Sequence, residues 1–161
     1  MIRHLLRRLL LARLPSLAAL AIQWAEQQAA VIARDGKPLT QRGTAVARRM
    51  GVREPERVRV LVVTVIPAPD SWRLRLAARA LGFLRPSTLG LTLGHGIFLR
   101  EGYAGMRLLS HELRHVHQYE EAGSIARFLP VYLRQLLTFG YERAPLEVEA
   151  RLHEVRDGPY A

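Results

Sequence analysis

The stretch His111-Glu112-Leu113-Arg114-His115 is where residue types and spacing by themselves imply a chemistry. On a helix, residues four apart lie one above the other, so both imidazoles can bind one Zn²⁺. The glutamate between them then sits beside the ion as a general base. A catalytic zinc keeps three protein ligands and leaves its fourth position for water, so a third ligand must come from elsewhere. The chain has no cysteine, which confines that search to its six histidines and fourteen acids.

A metzincin would supply a third histidine at position 121 after a glycine at 118, but this sequence has Glu121 and Gln118 there. A glutamate on a later helix is left, and the candidates are Glu142, Glu147, Glu149 and Glu154. On the helix expected from Pro145 to about Arg156, Val148, Leu152 and Val155 form one apolar side and Leu146 with Ala150 another, with Glu147 between them. Ala150 is small enough to let the HExxH helix come close, which favours Glu147; Glu149 lies next to Arg156 and is the second choice.

The elements that must position these groups read as follows. Met1 to about Arg34 is leucine- and alanine-rich with scattered arginines, and should be mostly helical with a break or kink near Pro15. Thr40 can cap a short helix ending at Gly51. Val58–Ile66 is β-branched and apolar at odd and even positions alike, the pattern of a central strand covered on both faces. A helix from Trp72 to Leu81 follows Asp70 or Ser71 as its cap. Leu89–Arg100 is a strand broken at Gly94-His95-Gly96, either a tight hairpin or a bulged edge. The HExxH helix runs from about Gly105 to Glu121, with Leu109, Leu113 and Val116 on one side and His111, His115 and Gln118 on the other. Ser124 can cap a further helix to Phe139, whose Phe128, Leu129, Tyr132, Leu133, Leu136 and Leu137 make a core stripe.

At 161 residues the length fits one domain, with a helical extension over 1–50 and a core over 58–155. The net charge of +10 is carried almost wholly by arginine, Lys37 being the one lysine. It suits an anionic membrane surface, met through the basic N-terminal helix, as well as an acidic partner. No arginine-rich recognition helix or aromatic stacking platform stands out, which argues against nucleic acid. Arg13 and Pro15 interrupt any signal-peptide core and no apolar run spans a bilayer, so the expected location is the cytoplasm, with membrane association through the first helix as its variant.

With Glu147-Val148-Glu149-Ala150 following HExxH, the chain resembles the gluzincin group of zincin metallopeptidases, especially its small single-domain bacterial members. Thr92–Ile97 and Leu108–Gln118 are similar to short bacterial zincin domains with an HExxHxxQ core. The resemblance implies an α+β zincin-like fold: a small twisted sheet packed with the HExxH helix and a C-terminal glutamate helix, preceded by N-terminal helices. It also implies Zn²⁺ held by His111, His115 and Glu147, and Glu112 as the base that activates water against a peptide bond. The strand over about Thr92 to Leu99, with Thr92, Gly94 and Gly96, would form the cleft edge and pair with a peptide or protein substrate. Gln118, one turn beyond His115, can orient a ligand or a substrate carbonyl, and Tyr141 or Tyr119 can donate to an oxyanion. The rival reading is a catalytically weak or inactive zinc-binding module of the same fold that acts in protein or membrane-surface binding.

Overall fold

The computed structural model describes residues 12–81 and 86–156. Among them are α1 (Leu14–Asp35), β1 (Lys37–Pro38), α2 (Gln41–Arg49), β2 (Arg59–Val63), α3 (Trp72–Leu81), β3 (Gly90–Leu93), β4 (Gly96–Arg100), α4 (Met106–Ala122), α5 (Ile125–Phe139) and α6 (Pro145–Leu152), with single 3-10 turns at Pro55–Arg57 and Tyr141–Arg143. Among the described residues the fold is α+β: six helices and a small, open, mixed sheet of four strands in the order β1-β2-β4-β3. β2 and β4 run parallel, whereas β1 and β3 are antiparallel edges.

Local chemistry sets most boundaries. The Gly43 N–H donates to Thr40 Oγ1 at 3.1 Å, and the Arg127 N–H donates to Ser124 Oγ at 3.2 Å, so both polar residues cap helices. Gly123 ends α4 with φ +85°, a conformation that a side chain resists. Prolines open α1 and α6, where the missing N–H costs nothing. Pro15 lies in the first turn of α1, directly after a turn at Arg13, so the helical run is interrupted there as expected, and residues 1–11 lie outside the described ones. α6 ends at Leu152, short of the expected Arg156, which frees Glu154 to fold back.

The sheet separates two apolar clusters. Successive residues of β4 point to opposite faces: Phe98 joins α1, α5 and β3 in one cluster, while Ile97 and Leu99 join α2, α4, Val58 and Val60 in the other. β2 is shorter than expected, and its cover on the two faces is partial: Leu61 and Val63 pack on the first cluster and Val60 is buried in the second, but Val62 lies open. Val62 is 48% exposed, because the helices on that side cover Val58 and Val60 and stop short of it. α4 is buried on both sides: Leu109, Leu113 and Val116 fill one cluster, and His111, His115 and Gln118 are enclosed on the other side. None of the described helices is long and apolar enough to cross a membrane.

Candidate metal centre

The i, i+4 spacing on α4 stacks the imidazoles of His111 and His115 with their Nε2 atoms 3.1 Å apart. From α6, packed against α4, Glu147 brings Oε1 to 3.2 Å from His115 Nε2 and Oε2 to 3.4 Å from His111 Nε2. The three side chains are buried, Glu147 to 1% exposure. These separations match donor atoms around one ion with bonds of about 2.0–2.1 Å.

The outer partners fix which atoms face inward. His115 Nδ1 lies 2.7 Å from the side-chain oxygen of Gln118, and His111 Nδ1 lies 3.1 Å from Glu154 Oε1. Both partners are acceptors, so each Nδ1 carries a proton, and in the neutral form of each ring the Nε2 lone pair turns to the centre. Glu154 is itself held by Arg107 Nε at 2.6 Å. Gln118 donates to the Leu146 carbonyl and to Glu149, tying α4 to α6. Tyr132, from α5, donates its hydroxyl to Glu147 Oε1 at 2.7 Å. Glu147 Oε2 is buried with no hydrogen-bond partner, and its charge is met only at ion-pair range by Arg151 Nη1, 3.7 Å away, so a cation at the centre would still relieve it.

The electrostatics point the same way. Burial opposes charge on Glu147, but His111, His115 and Tyr132 outweigh it and hold its carboxyl well below the usual carboxylate range. Burial likewise disfavours a charged His115, yet the Glu147 carboxylate, with that of Glu112, lifts its pKa to about 9. Two lone pairs and a carboxylate at this spacing attract a proton or, better, a divalent ion. The donor set of two imidazoles and one carboxylate suits zinc.

Glu112 is buried but stands apart from the tripod. Its Oε2 accepts the Thr92 hydroxyl at 2.6 Å, and its carboxylate rests against Gly90, where a Cβ would lie 2.8 Å from Glu112 Cδ. A cavity of about 80 Å³, enough for several water molecules, is bounded by the tripod, Glu112, Thr92 and Tyr141 and by apolar residues of α1, α3 and α5.

The structure thus gathers His111, His115, Glu147, Glu112, Thr92, Gln118 and Tyr141. It does not bring Gly94 and Gly96 there. Gly94 turns the β3–β4 hairpin with φ +66°, and Gly96 makes room for Ile32, whose Cδ1 would lie 2.9 Å from a Cβ. Both border a separate surface concavity with His95 and Glu120. The expected edge over Thr92–Leu99 is also corrected: β4 is paired on both sides, and within this stretch only the β3 part, Thr92 and Leu93, lies at an edge of the sheet. Glu149 pairs with Arg114 and Gln118 rather than Arg156. Tyr119 stacks on Phe128 with ring centroids 3.9 Å apart. His117 Nδ1 sits 2.9 Å from the Gly51 carbonyl, which is a packing role.

Three contributors escape the sequence reading: Gly90, Glu154 as partner of His111, and Tyr132. For Tyr132 alone a signal exists, since a tyrosine in an otherwise apolar stripe needs a buried partner for its hydroxyl. Searches of protein-family models, curated proteins and solved structures returned no match to this chain.

Proposed function

We propose that the protein is a zinc-dependent peptide hydrolase of gluzincin type, with a zincin-like fold. One observation carries the reading. Three electron-pair donors from two helices converge, one of their oxygens unsatisfied, beside a carboxylate that is not one of them. His111, His115 and Glu147 would hold the ion. When bound, zinc supplies Lewis acidity, polarising a carbonyl and bringing the pKa of water to about 7.

The chain's own groups do the rest. Glu112, aimed by Thr92, takes the proton of the attacking water and returns it to the leaving amine. Tyr141 keeps its proton because burial, and then the charges of Glu147 and Glu112, push its pKa up, so it can donate to the oxyanion. β3 has a neighbour strand on one side only, and an extended peptide would pair on the other without having its side chains read; Leu91, Thr92 and Leu93 are buried, so that side must first be uncovered. A zinc-binding module without catalysis would keep the tripod but has no use for Glu112.

Metal analysis and proteolysis of an unfolded protein test the reading together. Purified protein should carry one zinc, lost in His111→Ala and Glu147→Ala. Glu112→Gln should retain zinc and lose cleavage. Equal cleavage by wild type and Glu112→Gln would reject the mechanism; zinc without cleavage in the wild type would leave the binding module.

A further inference from the structure

α3 presents two opposed faces. Leu74, Ala77 and Ala78 are buried and wall the cavity beside the metal centre. Trp72 and Leu76, one helical turn apart, point outward at 64% and 59% exposure. The charged residues of the helix are all arginines, Arg73, Arg75 and Arg79. Arg73 lies over the Trp72 ring, 5.6 Å from its centroid, and Arg75 and Arg79 border one shallow concavity with Trp72 and Leu76.

A single exposed apolar residue needs no explanation, but a tryptophan–leucine stripe flanked by three arginines, with the exposed Asp70 before the helix as the one acid near it in sequence, has a particular use. Tryptophan is at home at the headgroup level of a bilayer, and the arginines match anionic headgroups. Other occupants fit less well. A second copy packed on the same face would set arginine against arginine. A nucleic-acid backbone would meet the apolar stripe in the middle of the basic face.

We propose that α3 docks flat on an anionic lipid surface, with Trp72 and Leu76 seated among the headgroups and Arg73, Arg75 and Arg79 on their negative charges. The cavity then lies one helix thickness from the membrane. This holds whether or not the centre hydrolyses peptides, since its test reads binding alone.

The test is co-sedimentation of the full chain with phosphatidylcholine vesicles, with and without phosphatidylglycerol. The protein should partition only into the mixed vesicles. Replacing the three arginines by serine should weaken partitioning on the order of a hundredfold, with the circular dichroism spectrum unchanged. Brominated lipid should quench tryptophan fluorescence, and the quenching should fall sharply in Trp72→Phe. Failure to bind mixed vesicles, equal binding by the triple variant, or quenching unaffected by Trp72→Phe would overturn the proposal. So would self-association that Leu76→Glu abolishes, or salt-sensitive DNA binding lost in the triple variant, without any vesicle binding.

Discussion

The Tyr132 hydroxyl donates to Glu147 Oε1 at 2.7 Å within the core, while Oε2 of the same carboxylate has no hydrogen-bond partner. The tyrosine thus fixes one oxygen and leaves the other turned to the histidines. Burial, reinforced by the charge of Glu147, pushes the Tyr132 pKa well up, so it stays a donor. Tyr132→Phe should preserve the stacking on Phe128 yet weaken zinc affinity about tenfold or more, the usual cost of losing a partner behind a ligand. Competition with a chromophoric chelator measures this, and unchanged affinity would mean that Glu147 is held by its surroundings alone.

Gly90 and Glu112 make a sharper test of catalysis. An alanine Cβ at position 90 would crowd the Glu112 carboxyl, which is the movable end of its side chain, so the backbone can stay while the base moves. Gly90→Ala should fold, hold zinc and lose much of kcat, approaching the roughly 10²–10⁴-fold that a general base contributes. Steady-state kinetics beside metal analysis would show it. A normal kcat would mean that the displaced carboxylate works equally well.

Zinc should also act as a folding ligand, because the unfolded chain cannot assemble a tripod from α4 and α6. At free zinc a thousandfold above the dissociation constant the gain is about 4 kcal/mol. Chelator should lower the thermal midpoint of wild type and leave that of His111→Ala unmoved. Equal midpoints with and without chelator in wild type would count against the site.

Glu120 links stability to pH. Burial would raise its pKa, but the N–H groups of Arg53 and Glu54, at 2.7 and 3.1 Å, and the nearby His95 outweigh it, so its carboxyl sits below its ordinary value. A carboxyl lowered by folding stabilises above its unfolded pKa, and that contribution disappears as pH falls through the folded value. Glu120→Gln should therefore be less stable than wild type by about 1–2 kcal/mol at neutral pH, and the gap should close in acid below the ordinary carboxylate range. Urea midpoints at the two pH values decide it; a constant gap would point to packing.

What could be read in the sequence was local. The histidine pair, the Thr40 and Ser124 caps, the proline start of α6 and the glycine stops follow from residues a few positions apart. The rest depends on chain distant in sequence. A helical wheel sets Glu149 beside Arg156 on its own helix, yet its partner Arg114 is on α4. Glu154 matters because α6 stops early, and Gly90 because Glu112 lies against it, neither of which leaves a periodic trace. The apolar run at Val58–Ile66 could not reveal that its cover stops short of Val62.

The candidate ligands His111, His115 and Glu147 and the neighbouring Glu112 all come from positions 111–147, whereas much of the apolar wall of the cavity comes from α1 and α3, through Leu14, Leu17, Trp24 and Leu74. The donor atoms are thus confined to one half of the chain, whereas the wall draws on both, α5 included. Substitutions in α1 and α3 can therefore reshape that wall, and with it what the cavity admits, without touching any of the three donors or Glu112.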